Sequence, residues 1–156
     1  MRVYISGAFT GSVELKSAMH KYQELGLLLK NEGYDVYLPH TKTNPIEHSD
    51  ISPQDVYGRD RKEVFGADIL LALLDEPSHG VGAEIALALN HDNYVIGAYP
   101  YNSKVSRFIQ GLLETSNRGI CMSYCNLIDL VDKFIERADI CSQNQHHLND
   151  QRSNLV

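Results

Sequence analysis

Residues 67–90 read ADILLALLDEPSHGVGAEIALALN, and the order of their parts decides the class of fold. From Ala67 to Leu74 the chain is apolar at all but one position, the pattern of a central parallel strand buried on both faces. Pro77, Ser78 and Gly80 then punctuate a turn. From about Gly80 to Asn90 the apolar residues recur at helical spacing, with Ser78 placed as N-cap and Val81, Ile85 and Ala88 on one inward stripe. Glu84 shares that stripe, so its carboxylate is expected to be partly desolvated. A neighbouring cation such as Arg61 would neutralise it in a purely structural role, because ion-pair networks also perturb carboxylates.

The same alternation extends in both directions. Upstream, "RVYISG" is a short apolar run closed by Gly7, followed by a turn-rich stretch and a helical pattern from about Val13 to Asn31. "YDVYLP" alternates like a strand and stops at Pro39, and "HTKTNPIEHSDISPQD" reads as a long loop. Ser52 followed by Pro53 marks the start of a helix that runs to Gly66. Downstream come the strand "NYVIGAY", a helix from about Ser103 to Asn117, the strand "GICMSY" and the helix "LIDLVDKFIERA". Five strands alternating with helices predict an open, doubly wound α/β sandwich in one domain spanning residues 1–140. The segment 141–156, with "SQNQHHLNDQRSNLV" from Ser142, is too polar to pack and is expected to be a disordered tail.

Composition narrows the function classes. A chain of 156 residues fits one core. No apolar run approaches the roughly 20 residues that span a bilayer, so no membrane association is expected. The N-terminus lacks the plan of a signal peptide, which predicts a cytoplasmic protein. Three cysteines, Cys121, Cys125 and Cys141, contain no Cys-x-x-Cys pair and do not complete a zinc site. They are expected to be reduced, inert thiols, and no metal is called for. A net charge of −6 argues against a nucleic-acid polymer as partner, since such proteins usually carry a basic field. A small anion is still compatible, because a helix N-terminus and a few local cations hold a phosphate.

In doubly wound folds ligands bind beyond the carboxyl ends of the strands, near the switch in strand order. That rule selects the loops "SGAFTGS", "PHTKTNP" and "DEPSHGVG". The first has G-x-x-x-G rather than the dinucleotide fingerprint, and no Walker motif is present, so no organic cofactor is indicated. Glu84 and Asp60, one helix ahead of the central strand, form a candidate carboxylate pair of the kind glycosidic chemistry needs. Tyr4 lies on the same strand face as Ser6, where its hydroxyl would orient a carboxylate; a core tyrosine is the plainer reading. Asp68 merely opens a strand. Ser78 with its glycines has the parts of an anion site. "NSKVSRFIQG" reads as a capped amphipathic helix start.

"YISGAFTG", "RDRKEVFGADILLALLDEPSHGVGAEIALA" and "KVSRFIQG", in this order, resemble the nucleoside 2-deoxyribosyltransferase superfamily, and most closely its 2'-deoxynucleoside 5'-monophosphate N-glycosidase branch. The likeness runs from about Arg2 to Ile135. It implies a Rossmann-like or flavodoxin-like, doubly wound five-stranded parallel sheet and an enzyme without cofactor. It implies Glu84 as the nucleophile at C1' of the sugar, Tyr4 as the residue that holds it, and Asp60 as the acid for the departing base and then the base for water. Ser78 and Gly80 match residues that bind a 5'-phosphate. Ser106 matches a serine reaching the neighbouring subunit's phosphate, which implies a homodimer or larger homo-oligomer. Gly7, Ala8, Phe9, Thr10 and Gly11 match the loop around sugar, base and phosphate, and His40 and Val56 match positions lining the base.

Two positions divide the activities of that superfamily. Transferases of free nucleosides carry aspartate where this chain has Ser78, and replacing that anion beside a helix N-terminus favours a nucleotide. Tyr4, where ribonucleotide enzymes carry phenylalanine, implies deoxyribose. The branch has serine and arginine where this chain has Ala8 and Thr10, so Arg59, Arg61, Lys104 or Arg107 would have to supply the missing charge, and His79 adds a titratable group beside the phosphate loop. The expected activity is hydrolysis of deoxynucleoside 5'-monophosphates. The alternatives are a deoxyribosyltransferase that exchanges bases and a non-catalytic nucleotide-binding domain.

Overall fold

The protein's structure, a computed structural model, describes residues 1–9, 15–43 and 50–153, with side chains described up to residue 143 except at 43. Strand β1 (Arg2–Ser6) leads into helix α1 (Leu15–Asn31), strand β2 (Asp35–Tyr37) and the short helix α2 (His40–Thr43). Helix α3 (Pro53–Phe65), strand β3 (Ile69–Leu73), helix α4 (His79–Asn90) and strand β4 (Tyr94–Pro100) follow. Helix α5 (Arg107–Thr115), strand β5 (Gly119–Tyr124) and helix α6 (Leu127–Ser153) complete the order. All neighbouring strands pair in parallel in the order β2-β1-β3-β4-β5. This is the doubly wound arrangement expected, and its switch point lies between β1 and β3.

Every residue of β3 is fully buried, because helices cover both faces of the sheet. One face carries Val3, Ile5, Leu71 and Ile96 against Leu25 and Leu29 of α1 and Phe134 of α6. The other carries Tyr4, Leu70, Ala72 and Val95 against Val64 of α3, Val81, Ile85 and Ala88 of α4 and Leu113 of α5. Tyr4 therefore points to the α3/α4 side, and Val3 and Ile5 to the α1/α6 side. Gly97 lets α5 seat on β4: a Cβ there would lie 2.6 Å from a methyl of Leu113.

Three segments differ from the sequence reading. The loop after β2 opens with one helical turn, α2, which carries His40 into the interior at 3% exposure. Helix α5 starts at Arg107 rather than Ser103, because Asn102 adopts a left-handed φ of 69° and the Ser103 N–H closes a turn on the Pro100 carbonyl. Helix α6 runs on to Ser153, through the segment expected to be a disordered tail from Ser142. No glycine or proline interrupts it, so nothing in the backbone chemistry stops the helix where the apolar stripe ends.

Candidate active site

At the carboxyl end of β1 a carboxylate meets two hydroxyls. Helix α4 is capped by Ser78, whose Oγ accepts from the Val81 N–H at 3.4 Å, and this sets the phase of the helix. Val81, Ile85 and Ala88 are buried against the sheet, and Glu84 lies on the edge of the same stripe, toward β1. The hydroxyl of Tyr4 donates to Glu84 Oε1 at 2.7 Å, and the hydroxyl of Ser6 donates to Oε2. Strand alternation places Tyr4 and Ser6 side by side on one face, so each carboxylate oxygen receives its own donor.

Burial raises the pKa of Glu84, while the Ser6 and Tyr4 hydrogen bonds pull it back down. Desolvation makes the carboxylate more basic, and the two donors hold its ionised form in place. No cation is needed for this: Arg61, the partner a structural role would require, lies with its guanidinium 4.5 Å from the centre of the Phe65 ring. The Tyr4 phenol is pushed far up by its own burial and then by the charges of Glu84 and Asp60, so it is a permanent donor.

Asp60 comes from α3, where Val56, Asp60 and Val64 follow one another at i, i+4 on the flank facing the sheet. Tyr37 stacks on Tyr4 with ring centres 5.5 Å apart. Burial, then the charges of Asp60 and Glu63, push the Tyr37 phenol up to about 12, against the opposing effect of Arg2 and Arg59. Asp60 is thus near enough to act electrostatically on both tyrosines beside Glu84. Asp68 has the structural role expected: its carboxylate accepts from the Arg2 N–H at 2.7 Å where β1 and β3 begin.

A cleft of about 360 Å³ opens beside the start of α4, lined among others by Ser78, His79, Gly82, Lys104, Val105 and Ser106. Glu84 does not line it. The cleft lies on the α5 flank of α4, one turn from the carboxylate, so it can seat one end of a ligand whose reacting atom lies at Glu84. Ser106 caps α5 without a side-chain cap hydrogen bond and reaches the same cleft as Ser78 within a single chain. Gly80 has room for a Cβ, with Ser78 Oγ the nearest atom at 3.7 Å.

The turn from Asp75 to Ser78 is tied to the opposite side of the sheet. Lys21 of α1 donates to Asp75 Oδ2 and to the Tyr124 hydroxyl, each at 2.6 Å, and Tyr124 also donates to Asp75. Next to this cluster the loop after β1 packs on Tyr22. A Cβ on Gly7 would come within 2.5 Å of the Tyr22 ring, and the Tyr22 hydroxyl donates to the Ala8 carbonyl at 3.4 Å. Phe9 meets Tyr22 edge-on, with centroids 5.4 Å apart, and sits 5.3 Å from His40.

The structure therefore brings Tyr4, Asp60 and Glu84 to one place, with Val56 on the flank of Asp60, and Ser78 and Ser106 to the adjoining cleft, whereas Gly80, in the first turn of α4, does not line it. Gly7, Ala8, Phe9 and His40 lie together at the end of β1 against Tyr22. Thr10 and Gly11 lie outside the described residues. Ser6 and Tyr37 were not among the expected site residues. Ser6 follows from the i, i+2 alternation that selects Tyr4, whereas Tyr37 depends on which strand pairs with β1. Among the described residues no group of three or more His, Cys, Asp or Glu side chains is placed to hold a metal. The cysteines are free, and burial pushes the Cys121 thiol up to about 11. No helix of the described residues is long and apolar enough to cross a membrane.

No family model matches the chain. Individual relatives do. A protein of Thermofilum pendens named "Putative 2'-deoxynucleoside 5'-phosphate N-hydrolase 1" is 30% identical over 142 residues, covering 89% of this chain and 93% of the relative. A protein of the same name from Methanococcoides burtonii is 26% identical over 113 residues, covering 71% of this chain and 90% of the relative. Among solved structures, the Clostridium botulinum CMP N-glycosidase BcmB superposes with a TM-score of 0.64 at 19% identity, covering 86% of this chain and 98% of that one. A 2-deoxyribosyltransferase from Bacillus psychrosaccharolyticus gives 0.60 at 16% identity, covering 83% and 90%. These two share the fold. With a likeness at this identity over nearly the full length of both chains, the protein belongs to the 2'-deoxynucleoside 5'-phosphate N-hydrolase family.

Proposed function

We propose that the protein hydrolyses the N-glycosidic bond of 2'-deoxynucleoside 5'-monophosphates, releasing the free base and 2-deoxyribose 5-phosphate. The observation that carries this reading is the buried Glu84 carboxylate, whose two oxygens each accept from a hydroxyl, of Tyr4 and of Ser6. A salt-bridged glutamate is a spent charge; one held by neutral donors keeps its nucleophilicity.

In the first step a Glu84 oxygen bonds to C1' as the bond from C1' to the base nitrogen breaks. The electron pair leaves with the base, and Asp60 delivers the proton that neutralises it. In the second step water attacks C1', its proton passes to Asp60, and the carboxylate of Glu84 is released. Tyr4 and Ser6 keep the carboxylate aimed throughout and accept none of the charge themselves. Ser78 contributes at the other end of the substrate. Its Oγ accepts from the Val81 N–H, which leaves its own proton free for a phosphate oxygen, and the first N–H groups of α4 add the positive end of the helix dipole.

Incubating the purified protein with a panel of deoxynucleoside 5'-monophosphates, with ribonucleotides and unphosphorylated nucleosides as controls, tests this through base release. Release from the deoxynucleotides is expected at far lower concentrations than from the unphosphorylated nucleosides, and no release from any deoxynucleotide at high enzyme concentration overturns the reading. A base-exchanging transferase shares the intermediate and is favoured by Ala8 and Thr10, which stand where the branch has serine and arginine. Adding a labelled second base to the assay separates the two, since only a transferase incorporates the label. Tight binding without base release would instead leave a nucleotide-binding protein.

We also propose that the enzyme acts in the cytoplasm as a homodimer. Tyr57 of α3, Tyr101 of the loop before α5 and Phe108 of α5 are large hydrophobic side chains exposed at 57%, 65% and 78%. Ser106 at the mouth of the cleft is exposed and can serve its own phosphate or a neighbour's. Light scattering that gives a monomer mass at assay concentration would refute the dimer.

A further inference from the structure

Resting on the proposed reaction, we infer that Lys104 is the cation by which this chain recognises the 5'-phosphate. A phosphate monoester brings close to two negative charges, and a serine with helix N–H groups supplies only partial ones. The chain lacks the arginine that the branch carries at the position of Thr10. Arg59, Arg61, Lys104 and Arg107 are the candidates to replace it, and three of them are placed elsewhere. Arg61 stacks on Phe65. Arg59 acts on Tyr37, at the rim where α3 faces β1 and β2. Arg107 is exposed on α5 and does not line the cleft.

Lys104 lines the cleft together with Ser78 and Ser106. Among the described residues its ammonium takes part in no ion pair. It sits on the loop held by the Asn102 turn, so its flexible stem starts from a fixed backbone. Glu76 lines the same cleft and repels an anion, and His79 stands beside it. Lys104 therefore decides whether the cleft accepts a phosphate or only a neutral 5'-hydroxyl. It is a specificity residue: it meets the phosphate, remote from the bond that breaks.

The test compares Lys104→Gln, Lys104→Arg and the control Arg107→Gln. KM and kcat are measured for a deoxynucleotide and for the matching unphosphorylated nucleoside, and inorganic phosphate binding by calorimetry. Lys104→Gln should raise KM for the nucleotide by about tenfold or more, the worth of one charged hydrogen bond, and weaken inorganic phosphate equally. The nucleoside KM and both kcat values should hold, Lys104→Arg should retain phosphate affinity, and Arg107→Gln should change nothing. Equal effects on nucleotide and nucleoside, or phosphate binding that is absent in the wild type or unaltered by Lys104→Gln, would overturn the role. If the wild-type protein releases no base, the reaction itself is wrong, while the calorimetry still decides whether Lys104 holds phosphate.

Discussion

Tyr4 on β1 and Glu84 on α4 are 80 residues apart in the chain and share a 2.7 Å hydrogen bond at the switch point of the sheet. The donor is fully buried, and the acceptor is the carboxylate on which the proposed reaction depends. Glu84→Ala should therefore lower base release by at least about a thousandfold, as loss of a nucleophile does. Circular dichroism and the melting temperature should show it folded. Normal turnover in this variant would exclude the covalent route.

Glu84→Gln probes the cost of burying the charge. The folded pKa of Glu84 lies above its ordinary value of 4.5, so folding is penalised where the group is ionised, and the penalty disappears once it is protonated in both states. The melting temperature of Glu84→Gln should thus exceed that of the wild type most clearly near neutral pH. The difference should shrink as pH falls toward the ordinary value. Thermal melts across that range check it, and a constant difference would contradict the raised pKa.

Removing one donor shifts the same balance. In Tyr4→Phe, Glu84 Oε1 loses its partner, and both stability and the ionised form suffer. Leaving a buried acceptor unmatched costs about 1–3 kcal/mol. The acid limb of the pH–rate profile should move to higher pH, because the Tyr4 hydrogen bond lowers the Glu84 pKa. Ser6→Ala should act in the same direction, and a profile that stays in place in both variants would show that the hydroxyls do not tune the carboxylate.

Asp60→Asn should reduce turnover less than Glu84→Ala and flatten the alkaline limb, as expected for a proton donor whose loss leaves the nucleophile intact. The same change removes a charge that raises the Tyr37 phenol, so its titration should fall below about 12. Ultraviolet titration reads this directly. An unchanged tyrosine titration would place Asp60 away from the site.

Asp75→Asn tests the anchor of the phosphate turn. It weakens a charged hydrogen bond from Lys21, worth about 1.5–3 kcal/mol. The nucleotide KM should rise with kcat retained. If the two substrates were affected equally, the turn would owe its shape to something else.

The five strands were legible because each is a short apolar run closed by turn residues, and β3 is apolar throughout. Tyr4 and Glu84 were visible as polar groups in apolar patterns, and their partnership came only through the family resemblance, since no periodicity joins residues so far apart. Ser6 was passed over because a serine closing a strand looks like punctuation. Helix α2 was hidden because four residues are too few for a helical repeat to show. The run of α6 past Ser142 escaped because polarity signals a lack of packing and says little about backbone conformation once a helix is under way.

Helix α4 has one more consequence. Ser78 sits at its start and Glu84 six residues on, so in the proposed reaction the seat for the phosphate and the atom that attacks are mounted on a single rod, roughly 9 Å apart along its axis. The enzyme thereby gauges length. A substrate whose phosphate lies one linkage nearer or farther from the anomeric carbon cannot satisfy both ends at once. Inserting one residue between them would advance the carboxylate by about 1.5 Å and swing it by about 100° around the rod, out of reach of Tyr4.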